Sequence, residues 1–177
     1  MTAVEDILGS DERPKEKVAR LVTMAREDYG VLGELARLYD GASKPMKGSC
    51  MEAISEVSKV DPAAVAPHMG FLIAHVNDAL PRVRWEAAQA IGNAARASPA
   101  EASVAIPSIM RNTSDEGTVV RWSAAYALGE IAKADPRARA ALLPKLERLA
   151  RDEKNNGVRN VYLKALTQME KGRPRGR

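Results

Sequence analysis

Apolar residues recur every three or four positions along most of the chain, and short polar segments separate these runs. One run contains Val83, Ala87, Ile91 and Ala94, and another contains Val120, Ala124, Leu128 and Ile131. This spacing places the apolar side chains on one side of an α-helix. The pattern therefore predicts an all-α protein, with long helices near residues 81–97, 118–134 and 156–171.

The runs repeat at an interval of 37 or 38 residues. The dipeptides Asp61-Pro62, Ser98-Pro99 and Asp135-Pro136 follow this interval, as do Lys47, Arg84, Arg121 and Arg159, and also Ala53, Ala90, Ala127 and Ala165. An interval of this size is typical of stacked helical repeats. It predicts four helix pairs, at residues 25–61, 62–98, 99–135 and 136–172.

The first helix of each pair is expected to begin at the Asp-Pro or Ser-Pro dipeptide. Asp or Ser accepts hydrogen bonds from free N–H groups at a helix start, and proline has no N–H to leave unpaired. Pro107 and Pro144 lie 37 residues apart inside the first helices, and each is expected to kink or split its helix. Residues 1–24 do not match the repeat. There, Asp11, Pro14 and the apolar residues after them predict an amphipathic helix that forms an N-terminal cap.

Two segments carry a family resemblance. Val83-Arg84-x-x-Ala87-Ala88-x-Ala90-Ile91-Gly92 and Val120-Arg121-x-x-Ala124-Ala125-x-Ala127-Leu128-Gly129 resemble the second-helix signature of HEAT repeats, and more narrowly the HEAT-like class named after phycobilisome lyases. The segments from Met46-Lys47 and from Val158-Arg159 keep the frame but lose small residues. The resemblance implies a right-handed α-solenoid of antiparallel helix pairs, an armadillo-type fold, with second helices along its concave face.

The resemblance also implies a structural role for the repeated Asp and Arg residues. In HEAT-type stacks the Asp in the turn pairs with the Arg near the next helix start and fastens adjacent turns. The matching residues are Asp78, Arg84, Asp115, Arg121, Asp152 and Arg159. An Asp just before a helix also satisfies free N–H groups and the helix dipole. We therefore expect these residues to form a structural ladder.

The outward positions of the second helices are the candidate binding surface, which we call the stripe. Its residues are Gly48, Glu52 and Glu56, then Trp85, Gln89 and Asn93, then Trp122, Tyr126 and Glu130, and finally Asn160, Lys164 and Gln168. Trp and Tyr are enriched at binding hot spots. Trp85 and Trp122 occupy equivalent places in adjacent repeats, and with Tyr126 they predict a partner-binding site. The alternative is that the rings cover the alanine-rich core.

Residue types that carry catalysis or metal binding do not cluster in the sequence. His68 and His75 are expected on one face of one helix, with no further zinc ligand beside them. Cys50 aligns with Ala87, Ala124 and Tyr162, which predicts a buried, unreactive thiol. The sequence has no phosphate loop, nucleophile elbow or zincin motif. We expect no metal, no cofactor and no catalytic residue.

The net charge of +4 comes from the end of the chain. Lys171, Arg173, Arg175 and Arg177 supply it, so residues 1–170 are neutral as a whole. The tail at 173–177 is expected to be disordered, and it could contact nucleic-acid phosphates only weakly. The lone cysteine, the lack of a long apolar run and the polar N-terminus predict a soluble cytoplasmic protein that does not contact membranes.

Three functions fit these observations. The first is a non-catalytic scaffold that holds a protein or peptide in its concave groove, anchored by Trp85, Trp122 and Tyr126. The second is nucleic-acid binding by a solenoid similar to alkylation-repair glycosylases, which the neutral body disfavours. The third is a component of a bilin-lyase-like or protein-modifying system, which follows from the resemblance alone.

Overall fold

The computed structural model describes residues 1–172, in which every regular element is helical. The helices are α1 (Ala3–Gly9), α2 (Pro14–Glu27), α3 (Gly30–Leu38), α4 (Lys44–Val60), α5 (Pro62–Val65), α6 (Met69–His75), α7 (Pro81–Ala94), α8 (Pro99–Val104), α9 (Ile106–Asn112), α10 (Thr118–Ala134), α11 (Pro136–Asp152) and α12 (Asn156–Lys171). A 3₁₀ turn, Ala66–His68, joins α5 to α6. None of these helices is both long enough and apolar enough to span a bilayer. The predicted tail at 173–177 lies outside the described residues.

The helices form two layers. α2, α4, α7, α10 and α12 pack side by side in chain order, and we call them the second-helix layer. The other layer is built from the shorter helices and α11: α5 and α6 pack on α7, α9 packs on α10, and α11 packs on both α10 and α12. Because the main contacts join neighbours in the chain, the molecule is a stack of similar units.

Small residues set the spacing within the second-helix layer. Ala87 and Ala124 are fully buried. A Cβ atom added to Gly129 would lie 2.7 Å from the Cβ atom of Ala165 on α12, which is closer than two carbon atoms pack. The alanine-rich sequence therefore has a packing cause, since larger side chains would push the long helices apart.

The predicted capping at the Asp-Pro dipeptides is confirmed, but Ser98 behaves differently. The carboxylate of Asp61 accepts a hydrogen bond from the Ala64 N–H at 3.2 Å. The carboxylate of Asp135 accepts one from the Arg137 N–H at 2.9 Å. The Ser98 hydroxyl instead donates to the Glu101 carboxylate and makes no side-chain bond to the helix N–H groups.

The two repeated prolines have different outcomes. α8 ends at Val104 and α9 begins at Ile106, with Pro107 in its first turn, so the predicted break occurs there. Pro144 lies inside the continuous helix α11, so of the two expected outcomes, a kink or a split, the split does not occur. Ala140 and Pro144 are both exposed. Pro144 leaves the Ala140 carbonyl without its N–H donor, and the helix continues through this exposed turn.

The N-terminal segment contains two helices rather than one. α1 precedes α2, and α2 begins at Pro14 with Arg13, not Asp11, as its N-cap residue. α2 packs on α4 as α4 packs on α7. It extends to Glu27, beyond the predicted boundary at residue 24. The segment expected to be only a cap thus supplies the first helix of the second-helix layer.

Candidate functional site

A groove of 720 Å³ crosses the second-helix layer at the start of α7. It runs from the first turn of α2 over α4 to the first turns of α7. Its lining residues are Arg13, Pro14, Lys15, Glu16, Glu52, Arg82, Trp85 and Glu86. We call it the Trp85 groove. It brings together two stripe residues, Glu52 and Trp85, with α2 residues outside the predicted stripe.

The middle of the Trp85 groove is shaped by a glycine and an ion pair. Arg82 of α7 pairs with Glu52 of α4. Its guanidinium also lies over Gly48, where an added Cβ atom would be 2.9 Å from Nη1. The Trp85 indole N–H donates to the Glu86 carboxylate at 3.1 Å, and the residue is only partly buried. The groove therefore presents an aromatic ring whose one polar atom already has a partner.

A second cavity continues the groove along α2 and α4. It has a volume of 310 Å³ and shares Lys15 and Glu52 with the Trp85 groove. Its other lining residues are Val18, Ala19, Val22, Arg26, Glu56 and Val60. Val60 is 62% exposed. The two cavities therefore form a surface with apolar patches between charged side chains, as in sites that bind organic ligands and peptides.

Trp122 lies in different surroundings from Trp85. Its ring stacks on the Tyr126 ring of the same helix, with 5.7 Å between the centroids and 12° between the planes. Trp122 is 37% exposed. The Tyr126 ring in turn lies against Gly92 of α7. The equivalence of the two tryptophans in the repeat thus does not extend to their contacts.

Three further stripe residues connect neighbouring helices. The Tyr126 hydroxyl donates to Oδ1 of Asn93, and Nδ2 of Asn93 donates to the Ser58 hydroxyl at 2.9 Å. This chain joins α10, α7 and α4. Gln89 donates to the Ser123 hydroxyl at 3.5 Å. Burial raises the pKa of the Tyr126 hydroxyl, so it stays protonated and able to donate. These side chains stabilise the stack whether or not a partner binds.

The two ends of the stripe carry charged pairs. Glu56 pairs with Lys59 at 2.5 Å, and Glu130 pairs with Lys133 at 2.5 Å. Lys133 also donates to Gln168 of α12 at 2.6 Å. Asn160 and Lys164 are exposed on α12, and a cavity of 90 Å³ lies between α10 and α12 beside Lys164. This end offers polar contacts and a much smaller cavity than the Trp85 groove.

The predicted ladder joins adjacent repeats through Arg84 and Asp115. Nη2 of Arg84 lies 3.1 Å from the Asp115 carboxylate, and Nη1 donates to the Asp78 carbonyl at 2.9 Å. The carboxylate of Asp78 accepts a hydrogen bond from the Tyr39 hydroxyl at 3.0 Å. Each of these carboxylates thus binds a residue of the preceding repeat.

The last rung uses Glu153, and the prediction of Asp152 is wrong. Nε of Arg121 lies 3.1 Å from the Glu153 carboxylate, whereas Asp152 is the exposed last residue of α11. Arg159 donates to the Glu153 carbonyl at 2.9 Å. The sequence contained the signal: Arg121 and Arg159 are 38 residues apart, and the residue 38 positions after Asp115 is 153.

A second link between turns was missed in the sequence. Asn112 is buried, and its Nδ2 donates to the Val76 carbonyl at 2.8 Å. Asn77 donates to the Asn112 side chain and to the Ser108 carbonyl, both at 2.9 Å. The only sequence signal for this link was the presence of Asn77 and Asn112 near the ends of the first helices of two adjacent repeats. Polar turn residues are so common that their pairing emerges only from the structure.

The histidines and the cysteine have structural surroundings. His68 ends the 3₁₀ turn and His75 ends α6, so the expectation that they share one helix is wrong. The His75 ring lies 4.3 Å from the Tyr39 ring, and burial lowers the pKa of His68. Cys50 is fully buried, as predicted, and burial raises its pKa to about 12. Within residues 1–172, no group of three or more His, Cys, Asp or Glu side chains is placed to hold a metal ion.

Several solved structures share this architecture. A designed armadillo-repeat protein in complex with the peptide (KR)4 matches with a TM-score of 0.71 and 23% identity, over 92% of this chain and 80% of that one. A chain of the complex of CpcE and CpcF of phycocyanin lyase from Nostoc sp. PCC7120 matches with a TM-score of 0.73 and 16% identity, over 92% and 97%. An engineered protein gives 0.69 and 18%, over 96% and 80%. These likenesses confirm the predicted all-α solenoid.

The sequence itself carries the family assignment. A comparison with curated proteins finds no match. The model of HEAT repeats matches residues 70–167, which is more than half of the chain. The match contains both full second-helix signatures, which begin at Val83 and Val120, and also the rung between Arg84 and Asp115. The protein belongs to the HEAT-repeat family.

Proposed function

We propose that this protein is a non-catalytic scaffold that binds a protein or peptide partner along the stripe, with Trp85 as the main anchor. The Trp85 groove is the observation that carries this proposal, because its 720 Å³ is large enough to hold one or more partner side chains against a partly exposed aromatic ring. Two structural neighbours are consistent with it. One was solved with the peptide (KR)4, and the other with a partner subunit.

Trp85 is a better anchor than Trp122 because of what each ring already contacts. Trp85 stands in a groove where a partner can cover it from several sides. Hot-spot residues lie in such fully desolvated pockets, and their truncation costs about 2 kcal/mol or more. One side of the Trp122 ring is already covered by Tyr126. A partner therefore gains less apolar burial at Trp122, and we assign it a flanking contact.

The proposed surface extends onto the N-terminal helix pair. The N-cap residue Arg13 and the α2 residues Lys15 and Glu16 line the Trp85 groove. Within residues 1–172, Lys15 forms no ion pair, and the Glu86 carboxylate binds only the Trp85 indole N–H, so both charges can still contact a partner. A charged rim around an apolar centre is the usual composition of a protein interface.

The test has two stages. Affinity capture from the source cells, with and without nuclease, identifies a partner that wild type retains. Calorimetric titration of that purified partner then compares Trp85→Ala, Trp122→Ala and a control, Leu163→Ala. Leu163 is 45% exposed on α12 and lies outside the stripe. Circular dichroism melts check that each variant folds.

We expect Trp85→Ala to weaken binding by about thirtyfold or more, equivalent to about 2 kcal/mol. Trp122→Ala should weaken it by less than about tenfold, and Leu163→Ala should leave it unchanged. An undiminished affinity of folded Trp85→Ala would place the partner elsewhere. Loss of capture on nuclease treatment would count against a protein partner.

A further inference from the structure

The repeats allow different surfaces of this chain to be compared with each other. The first helices of the second and third repeats, α5, α6, α8 and α9, contain one lysine or arginine, Arg111. The equivalent helix of the last repeat, α11, contains five: Arg137, Arg139, Lys145, Arg148 and Arg151. The second and third repeats therefore pack with few cations on their first helices.

Four of these five cations face solvent. Arg139 is half-buried, and its guanidinium donates to the carbonyls of Ala132 and Lys133 at 2.8 and 2.9 Å, at the end of α10. The exposed residues are Arg137, Lys145, Arg148 and Arg151, and we call them the α11 cation row. At 100° per residue, the three arginines of the row fall within an arc of about 60°.

The row has no partner within residues 1–172. None of its side chains forms an ion pair or hydrogen bond with the described residues, whereas Arg82, Arg84 and Arg121 of the second-helix layer are all paired. Glu147 and Asp152 are the exposed carboxylates of α11, which leaves its exposed face positive. The imbalance extends beyond α11: residues 136–177 have 12 lysines and arginines against 4 acids, while residues 1–135 have 15 against 19.

The composition of this face selects among anionic partners. Its exposed apolar residues are Pro136, Ala140, Ala141 and Pro144. A protein interface needs a larger buried anchor, and a membrane-surface helix needs Trp, Phe or Leu. Contact with a phosphate backbone needs only cations. We propose that the exposed face of α11 binds the phosphodiester backbone of a nucleic acid without reading its sequence.

The dimensions of the row fit this partner. Arg137 and Arg151 are 14 residues apart, which is about 21 Å along a helix. A nucleic-acid strand rises about 3.4 Å per phosphate, so the row spans about six phosphates of one strand. The neighbouring cavity beside Arg96, Lys133 and Arg139, of 390 Å³, fits less well. There the Arg139 guanidinium already donates hydrogen bonds to carbonyls at the C-terminal end of α10. The negative end of the helix dipole at this point repels an anion.

The experiment is a salt titration of binding to fluorescein-labelled, mixed-sequence duplex DNA, followed by anisotropy with the full chain. The test variant is Arg137→Gln/Arg148→Gln/Arg151→Gln. The matched control is Arg20→Gln/Arg37→Gln/Lys44→Gln, which removes the same charge from exposed cations outside the Trp85 groove. A third variant, Arg173→Gln/Arg175→Gln/Arg177→Gln, isolates the tail. Thermal melts should agree for wild type and the test variant, because the row has no partner within residues 1–172.

We expect the test variant to reduce the steepness of log K against log salt by about 2.7, from three phosphate contacts at about 0.9 each. The control should preserve the wild-type steepness and keep affinity within about twofold. If the control lost as much DNA affinity and salt dependence as the test variant, binding would depend on net charge rather than on the α11 cation row, and the proposal would be wrong. The proposal would also be overturned if the tail variant lost all DNA binding while the test variant bound DNA as wild type does.

Two further measurements distinguish a nucleic-acid partner from an acidic protein and from a partner in the Trp85 groove. A poly-glutamate peptide should compete with DNA more weakly than unlabelled duplex at equal charge. If the protein binds poly-glutamate more tightly than DNA, the proposal of a nucleic-acid partner is wrong, and an acidic protein is the better candidate partner for this face. Trp85→Ala should leave the affinity for DNA unchanged, because the Trp85 groove and the α11 cation row are separate surfaces. The tests of the protein-binding and DNA-binding proposals are therefore independent.

Discussion

At the residue scale, Gly129 sets the distance between two helices by lacking a methyl group. A Cβ atom there would lie 2.7 Å from that of Ala165. We expect Gly129→Ala to lower the free energy of unfolding by about 1–3 kcal/mol, because overpacking outweighs the better helix propensity of alanine. Urea unfolding measures the change. The control is Gly70→Ala in α6, whose Cβ atom would meet nothing within 4 Å. It should be neutral or stabilising by up to about 1 kcal/mol, and a matching loss there would contradict the packing explanation.

Cys50 gives a second residue-scale prediction. Burial raises its pKa to about 12, so at neutral pH the thiol is protonated and also inaccessible. A thiol-specific chromogenic disulfide reagent should not modify the native protein, and it should react with one thiol per chain in concentrated guanidinium. Rapid modification of the native state would show that the packing around Cys50 opens. The sequence predicted this residue correctly because its aligned positions hold buried residues, Ala87 and Ala124 among them.

At the element scale, the rung between Arg121 and Glu153 fastens α10 to the turn after α11. Burial raises the pKa of Glu153, but hydrogen bonds from the Asn155 amide and Arg121 outweigh it and leave the pKa below its usual value. The charged form is therefore favoured by folding. Its stabilisation is present above the ordinary glutamate pKa and is lost as the pH falls through the lowered value. We expect Glu153→Gln to cost about 1–3 kcal/mol at neutral pH.

The control for this rung is its exposed neighbour, Asp152. Asp152→Asn should change stability by less than about 0.5 kcal/mol. Urea titrations at several pH values would show the difference between wild type and Glu153→Gln shrinking in acid. A larger effect of Asp152→Asn than of Glu153→Gln would restore the rung first expected from the repeat.

The elements themselves were largely predictable, and their contacts were less so. The helical period and the repeat interval predicted α7, α10 and α12 closely, because each helix has a buried alanine at the same place in the repeat: Ala90, Ala127 and Ala165. The Trp85 groove was not predictable in this way. It depends on Gly48, on the reach of Arg82 across to Glu52, and on α2, which does not match the repeat. A pattern within one helix cannot specify how side chains of three helices meet.

At the scale of the whole molecule, the far side of α12 differs from the surfaces that join the repeats. The positions 38 residues after Ala125, Gly129 and Ala132 are Leu163, Thr167 and Glu170, all exposed. Close approach of another helix needs small side chains there, as Gly129 provides for Ala165. This face of α12 therefore lacks the small side chains through which α10 packs closely against α12.

The stack also separates the two proposed surfaces. The Trp85 groove lies on α2, α4 and α7, whereas the α11 cation row lies in the last repeat. Arg84, Asp115, Arg121 and Glu153 connect the turns between them. Each proposed site is therefore formed by a different group of neighbouring helices.

The same arrangement predicts graded local stability. α7 packs between α4 and α10, and α10 packs between α7 and α12, whereas α1 and α12 have long-helix neighbours on one side. In a stack the stability of each unit depends on its neighbours, so helices with two packed faces should open least often. Native-state hydrogen exchange should therefore be slowest in α7 and α10 and fastest in α1 and α12. Gly129→Ala supplies the decisive comparison, since it should speed exchange in α10 and α12 far more than in α2. Uniform acceleration along the chain would instead mean that the repeats unfold as one cooperative unit.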